Sequence, residues 1–219
     1  MSRERLAAAT GIPIVIAWIL ILALTGNSPD DNSSDHKILS YYASHGHRVR
    51  DIVVFFVAAV AAAFFVWFLG VLRSVLLRAE GEPGRLATTA TASGAAFIAL
   101  FAVAGSVFTA PSFITSDAGH KFALDPNTFR LLNGIGLLVF VGAFLLAAPL
   151  AFATGLIVWR TRVLPRWLAV ASFIAGIACI VGFLFFTTFV FFAWILILSL
   201  YLVSRPSPGP RPISSGGTA

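Results

Sequence analysis

The sequence predicts an all-α protein: a polytopic transmembrane helical bundle of six spans with both termini cytoplasmic. Three observations carry that expectation. Apolar residues make up 58% of the 219 positions and charged residues 11%, against roughly a quarter charged in soluble domains, and mean hydropathy is +0.93. From Trp167 to Val203 the chain runs 37 residues without a charged side chain. One helix of that length would measure ~55 Å against a hydrocarbon core of ~30 Å, so the stretch must cross, turn and cross back. Finally, the cations gather in alternate loops.

The first span, Leu6–Thr25, follows the basic start Met1–Arg5. Its apolar run exceeds the 7–15 residues usual for a signal peptide core, so a retained helix is expected. Between Ser34 and His45, closed by Gly46, the sequence reads as a short outer helix with Ile38, Leu39, Tyr41 and Tyr42 on its apolar side. The second span is Ile52–Leu72, and Glu82-Pro83-Gly84 is the turn into the third, Leu86–Ala110. Asp125-Pro126 supplies an N-cap and first helical position for the fourth, Leu131–Trp159. Pro165 does the same before the fifth, Trp167–Leu184, which turns near Phe185–Thr188 into the sixth, Thr187–Val203. A single transmembrane domain over residues 1–205 accounts for the composition, and the Pro-, Ser- and Gly-rich segment Pro206–Ala219 predicts a disordered cytoplasmic tail. Ser34–Ile38 and Ser116–Phe122 echo each other and suggest a duplicated two-helix unit.

Orientation follows the excess of Lys and Arg on cytoplasmic loops. With the N-terminus inside, the inner face holds ten cations and three acids, net +7, and the outer face five cations and six acids, net −1. Trp159 and Trp167 flank the inner Arg160–Arg166 loop as interfacial anchors. This distribution assigns the net charge of +6 to membrane topology and excludes nucleic acid as its explanation. The partner it implies is the lipid bilayer. Thirteen of the fifteen cations are Arg, a bias that with the Ala-rich helices points to a GC-rich bacterial source; the six spans then imply a multi-pass place in the bacterial cytoplasmic (plasma) membrane.

None of the six spans contains an internal Asp, Glu, Lys, Arg or His. Proton relays and ion-coupled carriers need such groups at depth, so proton-driven transport and carriage of a charged substrate are not expected. Pro13 and Pro149 are the candidates for helix breaks or packing kinks. Ala143, Ala147, Ala151 and Gly155 recur every four residues, a ridge that lets helices approach closely. It could pack within the bundle or form the seam of a homodimer.

His36, His45, His47 and His120 all fall on the outer face by this topology, accompanied by Asp35, Asp117 and Asp125. Imidazoles so gathered could hold Zn²⁺, Cu²⁺ or Ni²⁺, could sense pH near their free pKa of ~6.5, or could simply be solvated loop residues. No H-E-x-x-H, G-x-S-x-G or phosphate-binding loop is present, so neither catalytic residues nor a cofactor site is expected.

Trp67-Phe-Leu-Gly-Val-Leu-Arg73, then Arg78-Ala-Glu-Gly81, Gly84-Arg-Leu-Ala87, Leu124-Asp-Pro126 and Arg160-Thr-Arg-Val-Leu-Pro-Arg-Trp-Leu168 form a set of loop and interface motifs. Across most of the chain from about Tyr41 to Val203 they resemble an uncharacterised family of actinobacterial six-span integral membrane proteins, akin to the broader families called domains of unknown function. The resemblance implies location and topology; it transfers no activity. The leading expectation is a non-enzymatic protein that binds or scaffolds a lipid, an uncharged small molecule or a membrane partner. The alternatives are a transporter or channel for an uncharged or lipophilic solute, lined by residues such as Thr187, Thr188 and Asn133, and an outer-face metal-binding or pH-sensing protein.

Overall fold

The computed structural model describes residues 9–117, 123–181 and 186–204. Among them the chain forms seven α-helices and no strand: α1 (Gly11–Thr25), α2 (Asp35–Ala43), α3 (His45–Glu80), α4 (Arg85–Asp117), α5 (Pro126–Thr161), α6 (Arg166–Ile180) and α7 (Phe186–Ser204). Three of them, α3, α4 and α5, are long and apolar enough to cross a bilayer; α1, α6 and Thr188–Ser204 of α7 are shorter apolar helices. The exterior is apolar as well, with Leu138 74%, Trp67 67% and Leu131 64% exposed. So much exposed apolar surface calls for lipid rather than water around it.

The long helices have 36, 33 and 36 residues and so extend ~50–54 Å, well beyond the apolar stretches that mark them in the sequence. The backbone ladder continues where the side chains turn polar. Thus α3 begins at His45 rather than Ile52 and ends at Glu80 rather than Leu72.

Packing closes the six apolar helices into a ring: α1 on α3, then α3 on α4, α4 on α5, α5 on α6, α6 on α7, and α7 back on α1. Its interior is aromatic. Phe97 lies 5.3, 5.4 and 5.2 Å from Phe65, Phe144 and Phe191, each pair edge-on, and Trp18 stacks on Phe192 at 4.4 Å. Such ring pairs contribute about 0.5–1.5 kcal/mol beyond their burial. The small-residue ridge of α5 is buried within the chain itself, with Ala143, Ala147 and Ala151 fully covered. A Cβ on Gly155 would lie 3.1 Å from Ser172 Cβ and 3.2 Å from Ala169 O, so α5 and α6 meet nearly backbone to backbone. Behind that contact Trp194 Nε1 donates to Ser172 Oγ at 2.9 Å, and Ser172 donates onward to Leu168 O at 2.8 Å.

Prolines sit in α1, α4 and α5. Pro13 falls in the first turn of α1, where an N–H would lack a helical partner anyway. Beside Pro149 in α5, the Ser93 hydroxyl of α4 donates to Leu146 O and accepts from Leu150 N at 2.9 Å. It enters the ladder between two groups that an uninterrupted helix pairs with each other. Helix α4 does not stop at Ala110 before Pro111 but runs on to Asp117, helped by Thr115 Oγ1 donating to Pro111 O at 2.6 Å.

Local differences from the sequence reading have plain causes. Helix α2 ends at Ala43, not at Gly46, because extended Ser44 closes it and opens α3 at once. His45-Gly46-His47 is therefore the first turn of α3. Ile38, Tyr41 and Tyr42 are buried as expected, whereas Leu39 is 44% exposed. Ser34 caps α2 by accepting from Lys37 N, while Ser116 and Asp117 end α4, so the two echoing segments occupy opposite helix termini. Asp125 caps α5 through Thr128 N with Pro126 in the first turn, whereas Pro165 is itself the N-cap residue of α6, which ends at Ile180 rather than Leu184. The tail from Pro206 lies outside the described residues.

At the α3–α4 turn, Gly81 and Gly84 have φ of +75° and +62°, left-handed values that favour glycine. Glu80 then reaches across the turn, its carboxylate accepting from Leu86 N at 2.9 Å and Ala87 N at 2.7 Å. It caps the next helix from the end of the previous one, where a negative charge also meets the helix dipole. Glu80→Ala is expected to lower stability by about 1–2 kcal/mol, and Glu82→Ala, at an exposed position, by under ~0.5 kcal/mol, read from thermal unfolding in one lipid environment.

Candidate functional site

Helix α2 lies across one end of the ring, touching α3, α4 and α5. Ile38, Tyr41 and Tyr42 form a second small apolar core with Leu124 and Phe129, Tyr42 meeting Phe129 at 5.6 Å between ring centroids. Polar contacts hold this cap down from two sides. On α5, Arg130 donates to Asp31 O at 3.2 Å, Ser33 O at 3.0 Å and Asp35 Oδ1 at 2.7 Å, and Asn133 donates to Asp31 Oδ1 at 2.7 Å. On α3, Arg48 donates to Tyr42 O at 2.6 Å, Ala43 O at 3.1 Å and Ser116 Oγ at 3.1 Å.

Asp51 is the junction of the cap with the bundle. Its Oδ1 accepts from Tyr41 OH of α2 at 2.8 Å and its Oδ2 from Ser112 of α4 at 2.6 Å. Arg50 in turn donates to Tyr41 OH at 2.7 Å and lies over the Tyr41 ring, and Ser28 shares that hydroxyl at 3.0 Å. Burial raises both tyrosine pKa values. For Tyr41, hydrogen bonds from Ser28 and Arg50 work against that rise and Asp51 adds to it; for Tyr42, the charge of Asp51 adds to the desolvation. At the edge of the cap, Ser33 donates to Asp30 at 2.7 Å and holds that carboxyl below its ordinary value.

Beneath the cap is a cavity of about 320 Å³. Trp18, Phe101 and Phe140 line it on the side of the aromatic core, and Ser28, Asp51 and Asn133 supply polar atoms at the cap. An apolar cavity of ~150 Å³ can hold a benzene, so this one has room for roughly two such rings. A narrow crevice shares Trp18, Ile21, Ala58 and Phe101 with it and continues along Ala61 and Ala62, where α1 meets α3. An apolar body with a few convergent polar groups is the usual make-up of a small-molecule site.

Of the four histidines, His36, His45 and His47 lie among the described residues. His36 and His45 are exposed. His47 stacks on Tyr41 at 4.4 Å, its Nδ1 3.3 Å from Tyr41 O. Two positions apart on one helix, His45 and His47 project ~200° apart around the axis. Among the described residues no three His, Cys, Asp or Glu side chains group as metal ligands; His120 lies outside the described residues. Of the polar residues named for a solute path, Asn133 lines the cavity, Thr188 is buried away from it, and the side chain of Thr187 lies outside the described residues.

Sequence reasoning missed Asp51, counting it only as an outer charge. A usable signal was there: a lone acid at the head of a long apolar helix, seven residues after a Ser that can break the chain. Comparison with family models, curated proteins and solved structures finds no match to this chain.

The cap makes two predictions. Arg130→Ala should speed amide exchange across residues 31–43 about tenfold, while global stability falls by only ~1 kcal/mol because the Asp35 pair is exposed. Raised tyrosine pKa values mean that both states keep their protons below the free phenol value of ~10. Above it only a cap that has opened ionises, so cap stability is full below pH ~10 and declines as pH rises further. A spectrophotometric titration should show a late tyrosine phase that Tyr42→Phe reduces and Tyr41→Phe/Tyr42→Phe removes.

Proposed function

We propose that this is a six-span protein of a bacterial cytoplasmic membrane, both termini inside, which holds a small apolar or amphipathic molecule beneath α2 without transforming it. The cavity carries the proposal: about 320 Å³ with aromatic walls and a polar cap, in a bundle otherwise closed by interlocked rings. On the orientation set by the loop charges, the cavity opens toward the outer face. Three long apolar helices and exposed apolar side chains support the membrane location, and the Arg-for-Lys bias supports a bacterial source. Binding is favoured over conduction because Phe97, Phe144 and Phe191, fully buried, fill the ring below the cavity. A carrier for the same class of molecule would require that plug to part.

Gly105 lines the cavity, and a Cβ placed on it meets nothing within 4 Å. Gly105→Phe therefore fills the cavity without a backbone clash. Native mass spectrometry of protein extracted in mild detergent should show a reproducible non-protein mass on the wild type that is absent from Gly105→Phe, with both folded. A bare wild-type chain, or an adduct that survives the substitution, would contradict the proposal.

A further inference from the structure

Asp51 is the only charged side chain among the described residues that line the cavity, and seven of the nineteen lining residues are aromatic. Its two oxygens accept from hydroxyls, Tyr41 on one and Ser112 on the other. Each carboxylate oxygen offers about two acceptor sites, so each keeps capacity for another donor. Among the described residues Asp51 has no cation within ion-pair distance; the one such pair is Arg130–Asp35. Neighbouring Arg50 is turned to Tyr41, 5.6 Å over its ring, and does not line the cavity. A half-buried carboxylate facing apolar walls therefore stands without a cationic partner of its own.

From this placement we propose that the cavity selects an amphiphilic cation, its protonated amine against Asp51 and its apolar body among the rings of Trp18, Phe55, Phe101, Phe108 and Phe140. The inference rests on the binding role proposed above and names the ligand class. Aromatic faces attract a cation, and the carboxylate repays the desolvation of an ammonium while penalising an anion. An ion pair shielded from water also gains more than one in bulk solvent. The amine can come from a lipid headgroup or from a soluble lipophilic amine; the recognised chemistry is the same.

The test compares 1-naphthylmethylamine with its neutral isostere 1-naphthalenemethanol, by equilibrium dialysis against the full chain in maltoside micelles, with empty micelles subtracted. The amine is expected to bind at least about tenfold more tightly than the alcohol, and Asp51→Asn to bring the two within about twofold while alcohol binding persists. Equal binding by the wild type overturns the inference, as does a preference that survives Asp51→Asn. Should that variant lose its cap, the wild-type ratio alone decides. If neither probe binds the wild type, the underlying binding role fails; if both bind equally, only the choice of a cation fails. Adding phosphatidylethanolamine separates the sources: displacement of the amine assigns a lipid headgroup, and unchanged binding assigns a soluble amine.

Discussion

An apolar exterior leaves this chain's backbone and polar side chains no solvent to turn to, so each must find its partner within the protein. That constraint explains the architecture more fully than any single contact. Helices satisfy their own backbone, and the ring of six closes by burying aromatic and small faces against one another. Where the ladder is interrupted, a side chain from a neighbouring helix enters. Ser93 does this beside Pro149, and Glu80 does it at the start of α4. In each case a polar contact also fixes which helices are neighbours.

Two ends of one bundle solve the same constraint differently. Toward the α3–α4 turn, packing is dense: Ala147 and Ala151 are fully buried, Gly155 brings α5 against α6, and Trp194 is buried with its N–H on Ser172. Toward α2 the walls stay apart, and the gap is roofed rather than filled. The roof is a nine-residue helix, too short to be stable alone. It depends on Tyr41–Asp51, Arg130 and Arg48 for its place. A cavity kept open under a polar latch is costly for a scaffold that only needs to pack, and is what a ligand site needs.

The helical class and the approximate positions of the apolar segments were legible because lipid-compatible stretches announce themselves by composition alone. The turn at Glu82-Pro83-Gly84, the Asp125 cap and the buried side of α2 were legible from local chemistry. Helix ends were not, since α3 and α5 continue into polar sequence where hydropathy gives no signal. Nor was the site. Tyr41, Asp51 and Ser112 are neighbours only because three helices converge, and no local pattern encodes that meeting. The histidines drew attention by falling on one face of the predicted topology, yet a helix starting at His45 turns His45 and His47 to different sides.

The central claim is that the space beneath α2 exists to be occupied. An experimental density map of the full chain in lipid nanodiscs, recorded without added ligand, tests it most directly. The account predicts non-protein density between Asp51 and the Trp18–Phe101–Phe140 wall with α2 seated above it. A cavity collapsed onto its own side chains, with α2 in place and nothing beneath, would contradict it.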